Sequence, residues 1–237
     1  MMQARPCPNL TGYVLAGGRS RRMGRDKAFL QLGNKPLVQL AAEKLRCVAS
    51  EVNVLGNRSE LASYGALVAD LHADSGPLGG IEAAIRHTPT DWILILPVDM
   101  PFLPAALLEN WVHCVMESAT ARISFFVVEG KAQPALSMLH RELAPFIADA
   151  VEEGRLGLYM ALSDAGRMLA ERYRLPVEDV LLSFAWGKDV AEMPFAALEA
   201  SLTAEQRATR HLWFANLNTP EEFVAAEAFA DVLDSVR

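Results

Sequence analysis

The sequence predicts an α/β protein with an open, mostly parallel sheet flanked by helices, and three observations support that fold class. Up to about residue 160, short apolar segments alternate with segments whose apolar residues recur at helical spacing, as in parallel strands joined by helices. Residues 92–96 (WILIL) are apolar at every position, which is typical of a central strand buried on both faces. The length of 237 residues, 51% of them hydrophobic, suits one domain with a sizeable core.

The predicted elements follow from these patterns and from the turn residues between them. A strand is expected where a short apolar or alternating run ends at glycine, proline or a polar turn. The predicted strands are 11–16, 51–55, 65–69, 92–96, 123–128, 135–139 and 212–215. The predicted helices are 36–48, 77–87, 104–116, 142–153 and 220–233, the last with Thr219 as N-cap and Pro220 in its first turn.

Residues 165–210 do not continue the clear alternation of strands and helices. Stretches rich in Arg and Glu with helical character surround the sequence SFAWGKD at 183–189. We predict that this segment is an extra, mainly helical insertion in a single domain that spans residues 1–237.

Composition and charge argue against several classes of protein. The net charge of −7 is unfavourable for a nucleic-acid-binding surface. No apolar run reaches the roughly 18 residues of a membrane-spanning helix, and the first residues lack the apolar core of a signal peptide. The 3 cysteines are widely spaced, which fits a reducing compartment better than a disulfide or zinc framework. We therefore expect a cytoplasmic protein with no nucleic-acid or membrane partner.

A basic string that contains glycines follows the first predicted strand. Gly17 and Gly18 let the backbone approach a phosphate closely and present N–H groups to it. Arginine and lysine side chains after them supply the charge that a polyphosphate requires. These side chains are Arg19, Arg21, Arg22, Arg25 and Lys27. The string is neither a Walker P-loop nor a GxGxxG turn. Charge alone is equally typical of a solvated basic turn, but the whole string from 15 to 27 favours a phosphate site.

Acidic residues follow two further predicted strands. Asp99 lies just past the strand at 92–96, where ligands bind in open α/β sheets. Mg²⁺ typically takes one or two carboxylates together with substrate phosphates, so Asp99 is predicted to hold Mg²⁺. Asp70 and Asp74 precede the Gly-Pro and Gly-Gly pairs at 76–80. Contact with a sugar or base is the functional interpretation of these two residues, and loop capping is the structural one.

Taken together, these motifs resemble those of the molybdenum cofactor guanylyltransferases, within the wider nucleotidyltransferase family. The family string LAGGxSxRMGxDK matches residues 15–27, and a following glycine with a Pro-Leu pair matches residues 33–37. The family's GPLxG loop matches residues 76–80, and its strand-end Asp before a proline matches residues 98–101. The late motif NxNTPEE matches residues 216–222. The resemblance implies a Rossmann-like nucleotidyltransferase fold.

The resemblance also implies functions for individual residues. Asp99 is implied to hold Mg²⁺ and to act with Lys27 and Arg22 in catalysis. Asn216 and Asn218 fall where the family closes its site, on the acceptor side or near the metal. The residues implied to bind the nucleotide are Leu15, Ala16, Gly17, Gly18, Lys27, Asn57, Asp70 and Asp99.

The chain departs from the family pattern in two places. Leu55 stands where many members carry an Asn that contacts the nucleotide, and Asn57 follows two residues later. This departure leaves selectivity for guanine open. Residues 165–210 exceed the usual family length, and shaping of the acceptor pocket, dimerisation and a purely decorative insertion remain as alternatives.

The implied reaction is transfer of GMP from GTP to the phosphate of the molybdenum cofactor (molybdopterin), with Mg²⁺ as cofactor and pyrophosphate as product. A phosphate monoester is largely anionic at neutral pH because its second pKa is about 6, so no strong general base is required. This agrees with the 5 scattered histidines, which form no nucleophile–base set.

Two alternatives to this reaction remain at the level of sequence. Cytidylyl transfer to the same cofactor, or another NTP-dependent nucleotidyl transfer, keeps the fold and the reaction class. A non-catalytic, nucleotide-binding maturation factor is the alternative from another class, with exposed aromatic residues over 184–195 as a partner surface. Molybdoenzyme maturation proteins are the macromolecular partners that the resemblance suggests.

Overall fold

A seven-stranded sheet forms the centre of the chain in the computed structural model, which describes residues 6–16, 26–72, 74–187 and 198–233. Its strands occur in the order β5-β4-β1-β6-β8-β7-β9, and β2 and β3 form a separate antiparallel pair. The strands are β1 (Cys7–Leu15), β2 (Gln31–Leu32), β3 (Lys35–Pro36), β4 (Ala49–Leu55), β5 (Ala66–Val68), β6 (Trp92–Pro97), β7 (Ile123–Val128), β8 (Lys131–His140) and β9 (Leu181–Trp186).

The helices connect these strands in the order that the sequence predicts. The α-helices are α1 (Leu37–Val48), α2 (Gly76–His87), α3 (Ala105–Glu117), α4 (Ala144–Glu152), α5 (Leu158–Tyr173), α6 (Val177–Val180), α7 (Leu198–Ser201), α8 (Ala204–Ala208) and α9 (Pro220–Glu227). Single turns of 3₁₀-helix lie at Lys27–Phe29, Ser59–Ser63, Arg141–Leu143, Arg210–Leu212 and Ala230–Val232. The open, mostly parallel α/β sheet is therefore confirmed.

Strand direction decides which residues meet at one edge of the sheet. β1 is parallel to β4 and β6, and β4 is parallel to β5. β8 runs antiparallel to β6 and β7, and β9 is parallel to β7. All strands of the large sheet except β8 therefore end at the same edge, which is where ligands bind in open α/β sheets.

Two hydrophobic cores lie on opposite faces of the sheet. Leu94 and Leu96 of β6 point into the core that contains α1 and α3. Ile93 and Ile95 point into the core that contains α2, α4 and α5. Successive side chains of a strand face opposite sides, so an apolar residue at every position is what this central strand requires.

The predicted strand at 212–215 is wrong. Residues Arg210–Leu212 form a 3₁₀ turn, and the Ala215 N–H donates to the Leu212 carbonyl at 2.9 Å. The apolar run is explained by burial, since Trp213 and Phe214 are 1% and 8% exposed. A short apolar run does not distinguish a buried strand from another buried segment.

The segment 165–210 contains a strand in addition to the predicted helices. β9 pairs with β7 over Ile123–Val128 and forms one edge of the sheet. Phe184 of this strand is 8% exposed and packs in the core, so the expected exposed aromatic surface is wrong at this residue. Residues 188–197, including Phe195, lie outside the described residues.

The closing helix is shorter than predicted, but its predicted start is confirmed. α9 ends at Glu227, and a 3₁₀ turn follows at Ala230–Val232. The Thr219 side chain accepts from the Glu222 N–H, and the Glu222 side chain accepts from the Thr219 N–H, which is a capping box. Among the described helices, none has the length and apolar character needed to cross a membrane.

Candidate active site

A cavity of about 740 Å³ opens at the edge of the sheet where the parallel strands end. Its volume lies within the range of roughly 300–1,000 Å³ that is usual for small-molecule sites. Its walls come from the end of β1, the loop after β4, the segment after β5 and the start of α2. The lining residues are Leu15, Ala16, Asp26, Leu55, Gly56, Asn57, Arg58, Leu61, Asp70, Asp74, Gly76, Pro77 and Gly80.

Four of the residues expected to bind a nucleotide lie together in this cavity. Leu15 and Ala16 come from β1 and its end, Asn57 follows β4, and Asp70 follows β5. Leu55, which replaces the family's usual Asn, also lines the wall and is 1% exposed. Gly17, Gly18 and Arg22 lie outside the described residues.

Lys27, Asp99 and Asn218 form a second group at the same edge of the sheet. The Lys27 ammonium lies 3.1 Å from Asp99 Oδ2 and donates to Asn218 Oδ1 at 2.8 Å. The Lys27 and Asp99 side chains are 14% and 23% exposed, so the ion pair is only partly shielded from water. The structure thus brings together the predicted lysine, the predicted metal-binding carboxylate and one of the two late asparagines.

Local structure fixes the position of Lys27. Asp26 caps the 3₁₀ turn Lys27–Phe29, because its Oδ1 accepts from the Ala28 N–H at 3.0 Å. Oδ2 of Asp26 accepts from Arg58 Nη1 at 2.6 Å, and the Arg58 guanidinium lies 4.7 Å from the centre of the Phe29 ring. The turn is therefore tied to the loop after β4 by an ion pair and a cation–π contact.

The late asparagine motif is held by two backbone contacts. The Leu217 N–H donates to the Asp99 carbonyl at 3.0 Å, so residues 216–218 run beside the end of β6. Glu222 Oε2 accepts from the N–H groups of Asn218 and Thr219 at 2.6 and 2.9 Å. These hydrogen bonds lower the pKa of Glu222. The Asn216 carbonyl accepts from Asn218 Nδ2 at 3.4 Å, which places Asn216 next to the same group.

Glycines at the start of α2 keep the floor of the cavity open. A Cβ atom at Gly80 would lie 3.4 Å from Asp70 Oδ1, 3.6 Å from Leu55 Cδ1 and 3.7 Å from Leu15 Cδ1. All three of these atoms belong to residues that line the cavity. At Gly79 a Cβ would approach the Ser75 Cβ to 2.6 Å, which the backbone does not allow without a shift. The Gly-Gly pair therefore lets Asp70 and Ser75 lie close to the helix.

Among the described residues that line the cavity, acidic groups outnumber basic ones. Asp26, Asp70 and Asp74 supply three carboxylates, and Arg58 supplies one guanidinium, which pairs with Asp26. The Asp70 side chain is open to solvent, yet partial desolvation by the cavity wall raises its pKa. Carboxylates accept hydrogen bonds, so this wall is suited to the N–H and O–H donors of a base or ribose.

Asp26 and Arg58 were not among the predicted site residues. Arg58 directly follows Asn57 beyond the end of β4, and position after a parallel strand is the signal that identifies it. Asp26 lies within the basic string, where the arginines and Lys27 dominate the charge. Its partner is 32 residues away in sequence, so the sequence does not reveal the pair.

Asp99 offers the donor type that Mg²⁺ prefers. Its carboxylate stands at the end of β6 and is partly exposed at the site edge. One carboxylate completed by substrate phosphates and water is a usual Mg²⁺ environment. The described residues contain no cluster of three or more His, Cys, Asp or Glu side chains suited to a metal, so a closed site made by the protein alone is absent from them.

Comparison with known proteins relates this site to a family of nucleotide-using enzymes. A family model described as a MobA-like NTP transferase domain matches residues 12–171. A molybdenum cofactor guanylyltransferase of Serratia proteamaculans (strain 568) is 35% identical over 164 residues, which cover 66% of this chain and 81% of that protein. One of Xanthomonas euvesicatoria pv. vesicatoria (strain 85-10) is 48% identical over 100 residues, 41% of this chain and 51% of that protein.

Solved structures share the fold over most of the chain. Molybdopterin-guanine dinucleotide biosynthesis protein A from Archaeoglobus fulgidus superposes with a TM-score of 0.65 at 21% identity, covering 93% of this chain and 98% of that one. A CMP:2-keto-3-deoxy-manno-octonic acid synthetase complexed with CTP superposes with a TM-score of 0.53 at 10% identity, covering 85% of this chain and 98% of that one. At these identities the likeness shows the nucleotidyltransferase fold.

Proposed function

We propose, from the premise that this chain belongs to the MobA-like NTP transferase family, that it transfers GMP from GTP to the phosphate of the molybdenum cofactor. The observation that carries the proposal is the contact of Lys27 with both Asp99 and Asn218 beside the nucleotide-sized cavity. The arrangement combines a cation for phosphate with a carboxylate for a metal. Relatives at 35% and 48% identity that bear the name guanylyltransferase support the choice of GTP and of this acceptor.

The carboxylates of the cavity wall support guanine over cytosine. Guanine presents two neighbouring donors, N1–H and the N2 amino group, to which a carboxylate can accept with both oxygens. Cytosine presents its N4 amino group next to acceptors, which a carboxylate would repel. Asp70 is a carboxylate of this wall that does not belong to the Asp26–Arg58 pair.

The reaction is an in-line displacement at the α-phosphorus of GTP. An oxygen of the acceptor phosphate forms the new bond to this phosphorus, and the bond to the β-phosphate oxygen breaks with release of pyrophosphate. The acceptor phosphate is largely a dianion at neutral pH, so the step requires positioning and charge neutralisation and no strong base.

In this proposal Lys27 would neutralise the charge that moves to the pyrophosphate. An ammonium has three N–H donors, and the contacts with Asp99 and Asn218 use two of them. We propose that the third donor contacts an oxygen of the substrate. Arg22, Gly17 and Gly18 remain proposed phosphate-binding residues in the sequence between Ala16 and Asp26.

Asp99 would hold Mg²⁺ at the end of β6, with phosphate oxygens of the substrate as further ligands. When bound, the metal supplies Lewis-acid stabilisation of the phosphate oxygens. Asn216 and Asn218 would close the site on the acceptor side. Asn218 would do so by fixing Lys27, whose ammonium donates to it at 2.8 Å.

The decisive experiment measures pyrophosphate release from purified protein with molybdopterin or its molybdenum form, Mg²⁺, and GTP or CTP in parallel. Release with GTP that depends on both acceptor and Mg²⁺ is the expected result. Release with CTP alone would keep the fold and reaction class and replace guanylyl by cytidylyl transfer. The buried Leu55, which offers no polar contact in the cavity wall, is the observation that favours this second candidate.

Absence of turnover would lead to a different function. Binding of GTP without pyrophosphate release in any combination would contradict catalysis. It would favour a nucleotide-binding maturation factor that acts with molybdoenzyme maturation proteins. Isothermal titration with GTP and Mg²⁺, run beside the turnover assay, separates this outcome from an inactive preparation.

A further inference from the structure

The segment that carries Asn218 packs on aromatic side chains of β9. Trp213 is almost fully buried, and its ring centre lies 4.9 Å from that of Trp186, the last residue of β9. The Phe214 ring centre lies 5.3 Å from Trp186 and 5.0 Å from Phe126 of β7. Aromatic pairs at such distances contribute attraction beyond the burial of their area. Residues 213–214 are therefore fixed to the far edge of the sheet.

The same segment continues directly into the candidate active site. Three residues after Phe214, the Leu217 N–H donates to the Asp99 carbonyl at 3.0 Å. The next residue, Asn218, accepts from the Lys27 ammonium at 2.8 Å. An unbroken series of contacts thus runs from Trp186 through Trp213 and Phe214 to the group formed by Lys27, Asp99 and Asn218.

Trp186 is itself held by the sheet. It pairs with Val128 in the register of β7 and β9, and its carbonyl accepts from the Glu129 N–H at 2.8 Å. Its ring is half-buried against the core on the α3 face. β9 lies beyond residues 12–171, which the family model matches, so the family resemblance assigns no role to it.

We propose that Trp186 is a positioning residue for nucleotidyl transfer, which acts through Trp213 and Phe214 on Asn218 and so on Lys27. This inference gives the segment at 165–210 a function, because its strand provides the wall that fixes residues 213–218. The kinetic part rests on the proposed function. The structural part, that Trp186 orders the backbone at Leu217, stands independently of any activity.

The kinetic test uses Trp186→Leu, which keeps an apolar side chain but removes the ring, and Trp186→Phe, which restores a ring. We expect Trp186→Leu to lower kcat by about 10-fold to 100-fold with little change in KM for the nucleotide, since loss of alignment acts on the reacting groups. Trp186→Phe should recover most of this loss. Leu169→Ala is the matched control, because Leu169 is fully buried in the opposite core and its truncation destabilises the protein without touching the segment 213–218.

A double-mutant cycle identifies the route of the effect. If Trp186 acts through Asn218, then Trp186→Leu should change kcat by less than about 2-fold in an Asn218→Ala background, because coupled substitutions are not additive. The same fold-loss in both backgrounds would overturn the proposed route. An equal loss of kcat in Leu169→Ala would mean that general destabilisation explains the effect of Trp186→Leu, and would overturn the proposal.

Amide hydrogen exchange tests the structural part without any substrate. The Leu217 amide, which donates to Asp99, should exchange about 10-fold faster in Trp186→Leu than in the unsubstituted chain, and at the original rate in Trp186→Phe and Leu169→Ala. Unchanged protection of Leu217 in Trp186→Leu would overturn the inference even if turnover fell. Faster exchange in a chain that releases no pyrophosphate would support the structural part and reject the proposed function alone.

Discussion

The ammonium nitrogen of Lys27 lies 3.1 Å from Oδ2 of Asp99, although 72 residues separate the two in sequence. The parallel arrangement of β1 and β6 explains this meeting, because both strands end at the same edge of the sheet. Each charge reduces the cost of partly burying the other. Substitution of either residue therefore changes the environment of both, and the two must be tested separately.

Asp99→Asn should nearly abolish turnover while the fold is retained. The amide keeps the shape of the carboxylate but removes the charge that would hold Mg²⁺ and that faces Lys27. We expect pyrophosphate release to fall by about 100-fold or more, the range seen when one electrostatic group of an active site is lost. Asp91→Asn is the control, since Asp91 lies on the surface near Arg141. Near-normal activity in Asp99→Asn would exclude Asp99 as the metal ligand.

Lys27→Ala should also lower kcat by about 100-fold, because it removes the cation proposed to stabilise the leaving pyrophosphate. Nucleotide affinity in the absence of Mg²⁺ should fall less than kcat, since the cavity walls at β4 and β5 stay intact. Steady-state kinetics with titration of GTP measures both quantities. Lys35→Ala, which breaks the partly buried pair with Glu43, should leave them unchanged. A rise in KM with unchanged kcat would show that Lys27 contributes to substrate binding and not to the chemical step.

Gly80→Ala should weaken nucleotide binding without unfolding the protein. The added methyl group would meet Asp70, Leu55 and Leu15 at 3.4–3.7 Å, so it fits the fold but occupies the floor of the cavity. We expect Kd for GTP to rise by about 10-fold, which corresponds to about 1.4 kcal/mol. Gly157→Ala is the matched control, because a Cβ there has no neighbour nearer than 3.9 Å. Equal affinity of the two variants would place the nucleotide elsewhere.

The sequence was sufficient to predict the central strands of the sheet that position the site. The all-apolar pattern of 92–96 identifies a central strand, and an Asp that follows such a strand must lie at the ligand-binding edge. The same rule places Asp70 and Asn57 in one cavity after β5 and β4. These predictions succeed because strand direction and local order alone determine which strand ends share an edge.

Contacts between distant segments were not predictable in the same way. The apolar run at Trp213 and Phe214 predicts a strand, because such a run indicates burial but not backbone conformation. Both residues are buried against Trp186 of β9, which is distant in sequence. β9 itself carries exposed Ser183 and Ala185 between its larger residues, a weak signal for an edge strand. The Asp26–Arg58 pair likewise depends on two loops meeting, for which sequence spacing gives no rule.

Asp70→Asn should separate stability from function. Partial desolvation raises the pKa of Asp70, so the charged carboxylate is disfavoured in the folded state. The protonated carboxyl therefore favours folding at low pH, and this contribution to stability is lost as pH rises through the raised pKa. At neutral pH the uncharged Asn variant should therefore melt at an equal or slightly higher temperature than the original chain. GTP affinity should instead be lower in Asp70→Asn than in the original chain, because only the carboxylate accepts hydrogen bonds from the nucleotide with both oxygens.

In the original chain, GTP affinity should fall as pH decreases through the raised pKa of Asp70, at a pH above the ordinary aspartate value of 3.8. In Asp70→Asn, affinity should be low at neutral pH and this pH-dependent step should disappear. Titration calorimetry across the mildly acidic range, with melting temperatures at each pH, measures both effects. Asp149→Asn on the exposed face of α4 controls for a change of net charge. Persistence of the step in Asp70→Asn would exclude Asp70 as its source.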